Sequence, residues 1–195
     1  MRLLIISGFL GSGKTTLVLQ LAKIFSWSGG QCAIIENELG EIGIDGRYLA
    51  LEGLHVRELF GGCICCTLSA DLITTLHDLR KRFRPELVIM EATGLADPGD
   101  IAANVKKSRL TLSSLNVITL LDAVRYIMLM EIMTPLITSQ IVAADAILIN
   151  KIDGASPEVP VLMRKDIRAL NPNTKIIELS LAHQPDLESI SELLL

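Results

Sequence analysis

At 195 residues the chain is long enough for one full hydrophobic core and short for two, so a single domain is expected. Its 18 basic and 22 acidic residues, net charge −4 and pI near 5.4 argue against a partner held chiefly through a nucleic-acid backbone. Mean hydropathy is high, +0.46, yet the longest uncharged runs, 110–121 and 132–144, fall short of the roughly 18 to 20 apolar residues a membrane span needs.

Strands apolar on both faces are the better source of that excess. In chain order, a strand is predicted at Leu3–Ser7, a helix at Lys14–Phe25 ending before Gly29 and Gly30, and a strand at Cys32–Glu36. His55–Leu59 reads as a further edge strand, and Ser69–Arg82 as a helix whose terminal Arg80, Lys81 and Arg82, with Arg84, complement the helix dipole. Strands follow at Leu87–Glu91, Asn116–Leu121, Ala146–Ile149 and Lys175–Leu179. Helices fill the gaps at Ile101–Lys107, Tyr126–Met133, Pro135–Ala143 and Val159–Ala169, the last stopped by Asn171-Pro172, and a final helix runs from Leu187. This alternation is the α/β pattern, a mainly parallel sheet with helices on both faces in three layers. Right-handed crossovers then collect the loops after each strand along one sheet edge, where such folds bind ligands.

The N-terminal "LLII" is interrupted by glycines and Lys14 before a signal-peptide core is built, so a cytoplasmic location with reduced cysteines is expected. Between the first strand and helix, "GFLGSGKTT" satisfies G-x-x-x-x-G-K-S/T. Gly8, Gly11, Ser12 and Gly13 let the backbone curl so that its N–H groups face phosphate oxygens, and the helix start at Lys14, Thr15 and Thr16 adds its positive dipole end. Lys14 would reach the β and γ phosphates and Thr15 would hold Mg²⁺. The run "ELVIMEATG" tips a strand with Glu91, an acid able to orient Mg²⁺ or its waters, and sets Gly94 where a backbone N–H can sense a γ-phosphate.

"AILINKIDG" ends another strand in Asn150, Lys151 and Asp153. An Asp carboxylate accepts both the ring N–H and the exocyclic amino group of guanine, and adenine offers no such donor pair. Lys151 can lay its stem along the base, Asn150 can tie this loop to the phosphate loop, and Ser180 is a further base contact. GTP is therefore favoured over ATP. No residue reads as a catalytic base or arginine finger, so slow intrinsic hydrolysis is expected. "GGCICC" sets Cys63, Cys65 and Cys66 behind Gly61 and Gly62, and disulfide, metal site and packing are its three readings. A reduced compartment weakens the first, whereas Cys32, inside an apolar strand, reads as packing.

Together these motifs resemble one family, the CobW-like GTPases of the metal-chaperone class that also holds HypB, UreG and MeaB. The resemblance is carried by "GFLGSGKTT", "ENELGEIGID" (36–45), "GGCICC", "EATGLADP" (91–98) and "NKID", spread over about the first 155 positions. It implies a P-loop NTPase fold, Mg²⁺-dependent GTP hydrolysis to GDP, and delivery of a transition metal or support of a metallo-cofactor enzyme, a corrinoid protein among the clients. It further implies that Cys63, Cys65 and Cys66 bind metal, with Glu36, Glu38 and Glu41 as helpers, and that Asp45 lies in the nucleotide-sensing switch.

Three thiolates within four residues can hold a soft or borderline cation, zinc first and cobalt or nickel next, while leaving a position open, as a carrier requires. Typical members continue into a second domain, often with a His-rich stretch. This chain has 3 histidines, His55, His77 and His183, treated as non-ligands, and is read as the GTPase unit alone. Met128, Met130 and Met133 read first as core and second as a subunit or client surface, which would make a homodimer. The alternatives are a GTP-dependent adaptor that remodels a metalloenzyme without carrying metal, and a P-loop small-molecule kinase, against which the "NKID" stretch stands.

Overall fold

The structure is a computed structural model describing residues 1–36, 68–182, 190, 191 and 193. Six strands form one wholly parallel sheet: β1 (Arg2–Gly8), β2 (Cys32–Glu36), β3 (Leu87–Glu91), β4 (Ser114–Asp122), β5 (Ala146–Asn150) and β6 (Lys175–Glu178), in the order β2-β3-β1-β4-β5-β6. The helices are α1 (Lys14–Trp27), α2 (Leu68–Arg82), α3 (Pro98–Lys107), α4 (Tyr126–Ile132), α5 (Thr134–Val142) and α6 (Glu158–Leu170).

Alternation along each strand builds the layers. Leu4 and Ile6 of β1 point to a cluster with Leu17, Val18 and Leu21 of α1, while Leu3 and Ile5 point to the opposite cluster with Leu76 and Leu79 of α2 and Ile101 and Val105 of α3. Ile147 and Ile149 of β5 join that second face through Leu129, Ile141, Met163 and Ile167 of α4, α5 and α6. The parallel sheet is thus covered on both sides, which accounts for strands with no polar face. Among the described residues no helix is long and apolar enough to cross a membrane.

Most element boundaries shift by one to three residues from the sequence reading, and two of the shifts have clear local reasons. Helix α3 starts at Pro98 and not Ile101, because the Asp97 side chain accepts from Gly99 N at 2.8 Å and Asp100 N at 3.3 Å and Pro98 has the φ that a first helical turn needs. Strand β4 begins two residues earlier than Asn116, since Arg2 of β1 is in register with Ser114. Cys32 is buried between sheet and α1, and burial pushes its thiol up to about 12 against the lesser pull of Arg2, so it is a packing residue. Met130 and Met133 pack against the α4–α6 core and Met128 is exposed. His77 is exposed on α2, and Arg80 Nη1 donates to Thr111 O at 3.1 Å beyond that helix. The expected strand at His55–Leu59 and His183 fall outside the described residues, as does most of the segment from Leu187.

Candidate functional site

All six strands run the same way, so their C-terminal tips share one edge. Gly8, Glu91, Asp122 and Asn150 end β1, β3, β4 and β5 there. A cleft of about 470 Å³ opens at this edge between the phosphate-loop sequence and the loop after β5. It brings together Gly11, Gly13, Lys14, Thr15, Thr16, Glu91, Asn150, Lys151, Asp153 and Ser180.

At one end, Lys14 and Thr15 open α1 against the tip of β3. Thr15 Oγ1 donates to Glu91 Oε1 at 2.9 Å, and Lys14 Nζ lies 3.9 Å from the same oxygen with both side chains buried. Gly13, the residue before α1, has φ +105° and no side-chain cap, and a Cβ there would sit 2.5 Å from Asn150 Nδ2. That combination requires glycine and leaves the helix start open toward the cleft.

At the other end, buried Asn150 joins two loops. Its Nδ2 donates to Ser12 O at 2.8 Å, and its Oδ1 accepts from Lys151 N at 2.9 Å and Leu181 N at 3.0 Å. Lys151 has a left-handed backbone, φ 64°, and its Nζ donates to Gly11 O and to Asp122 Oδ2, both at 2.7 Å. Ser180 Oγ donates to Asp153 Oδ1. The loop after β5 is therefore bound to the phosphate-loop backbone at Gly11 and Ser12.

Three residues that sequence reasoning passed over support this frame. Asp122, at 2 % exposure, also accepts from Arg125 Nε at 2.8 Å and from the backbone N–H groups of Val124 and Arg125. Burial alone would raise its pKa, but the bonds and charges of Lys151 and Arg125 outweigh burial and hold the carboxyl below its ordinary value. Arg125 Nη2 in turn donates to Leu10 O at 2.6 Å. Buried Gln140 of α5 donates through Nε2 to Gly94 O at 3.3 Å and Ala96 O at 3.4 Å, while its backbone carbonyl accepts from Thr119 of β4. Asp122 had a usable signal, an acid closing the apolar run "NVITLLD" as Glu91 closes "LVIME". Gln140 had none.

Gly94 packs directly on the phosphate loop, where a Cβ would come within 2.7 Å of Leu10 N. Glu36, the last residue of β2, is in register with Glu91 of β3. Cys63, Cys65, Cys66, Glu38, Glu41 and Asp45 lie outside the described residues. The donor set suits a magnesium nucleotide: hard oxygens on Thr15 and Glu91, a buried ammonium on Lys14, and a buried Ser12 Oγ with no hydrogen-bond partner among the described residues.

The family model for the CobW/HypB/UreG nucleotide-binding domain matches residues 2–178. The chain belongs to this family. Among relatives of this CobW/HypB/UreG domain, the zinc chaperone YeiR of Escherichia coli is 36% identical over 162 residues, 79% of this chain and 47% of that protein. The zinc-regulated GTPase metalloprotein activator 1 of Schizosaccharomyces pombe is 30% identical over 202 residues, 97% of this chain and 48% of that protein. The chain thus spans about half the length of the curated relatives it matches. The Zn(II)-bound YjiA GTPase of E. coli superposes with TM-score 0.66 at 28% identity, over 94% of this chain and 58% of that one. The hydrogenase maturation factor HypB of Archaeoglobus fulgidus gives TM-score 0.70 at 21% identity over 100% of this chain and 88% of that one, a likeness of fold.

Proposed function

We propose that this domain is a GTP-hydrolysing switch that couples nucleotide state to binding of a transition metal ion, zinc first, for delivery to a client metalloenzyme, and that residues 1–195 act as one nucleotide-binding unit. The observation that carries the nucleotide half is the Asn150 bridge: Nδ2 on Ser12 O and Oδ1 on Leu181 N fix Asp153 and Ser180 at a set distance from Lys14 and Thr15. A cleft built that way suits a ligand with phosphates at one end and a planar base at the other. Asp153, which lines the other end of the cleft, would select the base by accepting from the guanine edge. Lys14 neutralises charge on the terminal phosphates, and the N–H groups at the start of α1 bind their oxygens.

Thr15 and Glu91 are the residues that would hold Mg²⁺, which when bound neutralises charge on the phosphate oxygens. Lys14 would pair with the terminal phosphate, and Glu91 would act on it only through Mg²⁺ or a water that the ion holds. Gly94 abuts the phosphate loop, so a third phosphate beside Leu10 pushes on the 93–97 loop.

The metal half rests on the three thiols Cys63, Cys65 and Cys66 and on names of relatives, two of them zinc chaperones and one a zinc-regulated GTPase. Support for coupling comes from β2, whose terminal Glu36 neighbours Glu91 in the sheet and leads directly into the segment that carries the thiols. By linkage, metal and nucleotide change each other's affinity by the same factor. The test is a Co²⁺ or Zn²⁺ titration of the native chain and Cys65→Ser with GDP and with a non-hydrolysable GTP analogue, read by thiolate charge-transfer absorbance. Metal affinity that differs between nucleotides and falls in Cys65→Ser is expected. Equal affinity with both nucleotides removes the coupling, and unchanged affinity in Cys65→Ser removes the thiol site.

A further inference from the structure

Asp122 belongs to neither the phosphate-loop motif nor the loop after β5, yet it is the point at which both are held. Its two oxygens divide the work. Oδ1 accepts from Val124 N at 3.0 Å and Arg125 N at 3.3 Å, fixing the turn after β4. Oδ2 accepts from Lys151 Nζ at 2.7 Å and Arg125 Nε at 2.8 Å. Each cation then spends a second N–H on the phosphate loop, Lys151 on Gly11 O and Arg125 on Leu10 O. One buried carboxylate thereby commands two neighbouring carbonyls of the loop that must cradle phosphates.

The arrangement fixes the lysine as well. With Nζ held at both Asp122 and Gly11 O, Lys151 lines the cleft with its tip anchored. A lysine free at its tip would lose side-chain rotamer freedom on adopting one path when the ligand arrives. Held beforehand, it has already lost that freedom. The same bonds stop the Leu10–Gly11 peptides from rotating, so the phosphate-facing N–H groups beyond them stay aimed.

We infer that Asp122 is a positioning residue for nucleotide binding, a strut that acts through Lys151 and Arg125 to preset both the base-side wall and the phosphate loop before ligand enters. This rests on the guanine-nucleotide reading of the cleft and adds to it a residue outside the motifs. A strut that presets the site serves GDP and GTP alike, so its loss lowers affinity for both and leaves turnover of the saturated protein nearly unchanged. Asp122→Asn is the informative change: the amide keeps the shape, and its carbonyl can still cap the turn, while its NH₂ faces the two cations.

The experiment is fluorescent GDP binding and steady-state GTP turnover on the whole chain for wild type, Asp122→Asn, Lys151→Met and the double variant. Asp122→Asn is expected to weaken GDP binding about tenfold, the weight of one charge-assisted hydrogen bond, to raise KM for GTP in parallel and to keep kcat within about threefold. The double variant is expected to lose less than the sum of the two single losses, because part of what Asp122 does passes through that lysine. GDP affinity within twofold of wild type in Asp122→Asn, or losses that add in the double variant, overturns the strut. Should Asp122→Asn fail to fold, Arg125→Met carries the test, its side chain being 34% exposed; unchanged GDP affinity there is equally fatal. If wild type binds no guanine nucleotide at all, the reading of the cleft fails instead, a result distinct from either.

Discussion

Glu91 and Asp122 are two carboxylates in matching places: each tips a strand that flanks β1, each is 2 % exposed, and each faces the lysine of a motif. They are held differently. Glu91 accepts from Thr15 Oγ1 at 2.9 Å and lies 3.9 Å from Lys14 Nζ, both at the start of α1, whereas Asp122 takes two cations at 2.7 and 2.8 Å and two backbone N–H groups. Glu91 sits against the two residues proposed to meet phosphate and Mg²⁺, whereas Asp122 sits against two cations that hold backbone carbonyls of the phosphate loop. On the proposed function, the contrast separates the part of the site that meets the phosphates from the part that holds the frame in place.

The largest effect that can break this contrast is on Glu91→Gln. If Glu91 serves the phosphate and metal end, the variant loses about 10²-fold in GTP turnover while GDP binding stays within about threefold. That is the reverse of the pattern expected of Asp122→Asn. Parallel losses in both variants, measured by phosphate release and fluorescent GDP, would erase the distinction.

Next in size is Gly94→Ala. A Cβ 2.7 Å from Leu10 N and 3.2 Å from its Cα meets backbone that cannot swing aside, so a loss of about 1–3 kcal/mol is expected in urea unfolding. The variant should also respond less to the third phosphate, seen as similar protease sensitivity with GDP and a GTP analogue. A stability within about 0.5 kcal/mol of wild type, the error of such measurements, would mean that the 93–97 loop does not bear on the phosphate loop.

Acid gives the smallest of these effects. Asp122 is held below its ordinary pKa, so its contribution is fully present above the unfolded value of 3.8 and is lost as pH falls through the lower folded value. Its contribution should thus be flat from about pH 8 to about pH 5 and fade only in stronger acid, and Asp122→Asn should flatten that acid limb of the stability curve. A limb unchanged by the substitution would show that its lysine and arginine contacts do not favour the charged form.

Much of this was legible in the sequence because parallel strands advertise themselves as apolar runs. "LLIIS", "LVIME" and "AILIN" could be placed to within a residue, and the loop motifs follow from being attached to their tips. What was not legible depends on contacts distant in the chain. Arg125 reaches Leu10, 115 positions away, and Gln140 reaches Gly94 and Ala96 over 46 and 44. Asp122 lies just past the expected strand Asn116–Leu121 and carries no motif, and only the geometry of the shared edge reveals that Lys151 and Arg125 converge on it. The start of α3 was missed for a local reason, since "DPGD" combines a capping Asp with a Pro that reads as a turn until the cap is seen to be made.

The most direct test of the account is the base preference of Asp153→Asn. Guanine presents a ring N–H and an amino group to a carboxylate, whereas xanthine carries a second oxygen where the amino group would be, which suits an amide that donates as well as accepts. Competition binding of GDP, XDP and ADP should show the wild-type chain favouring GDP and Asp153→Asn losing GDP by at least about 10²-fold while gaining XDP. A variant that keeps its GDP affinity, or a wild type that prefers ADP, would contradict the assignment of this cleft to a guanine nucleotide.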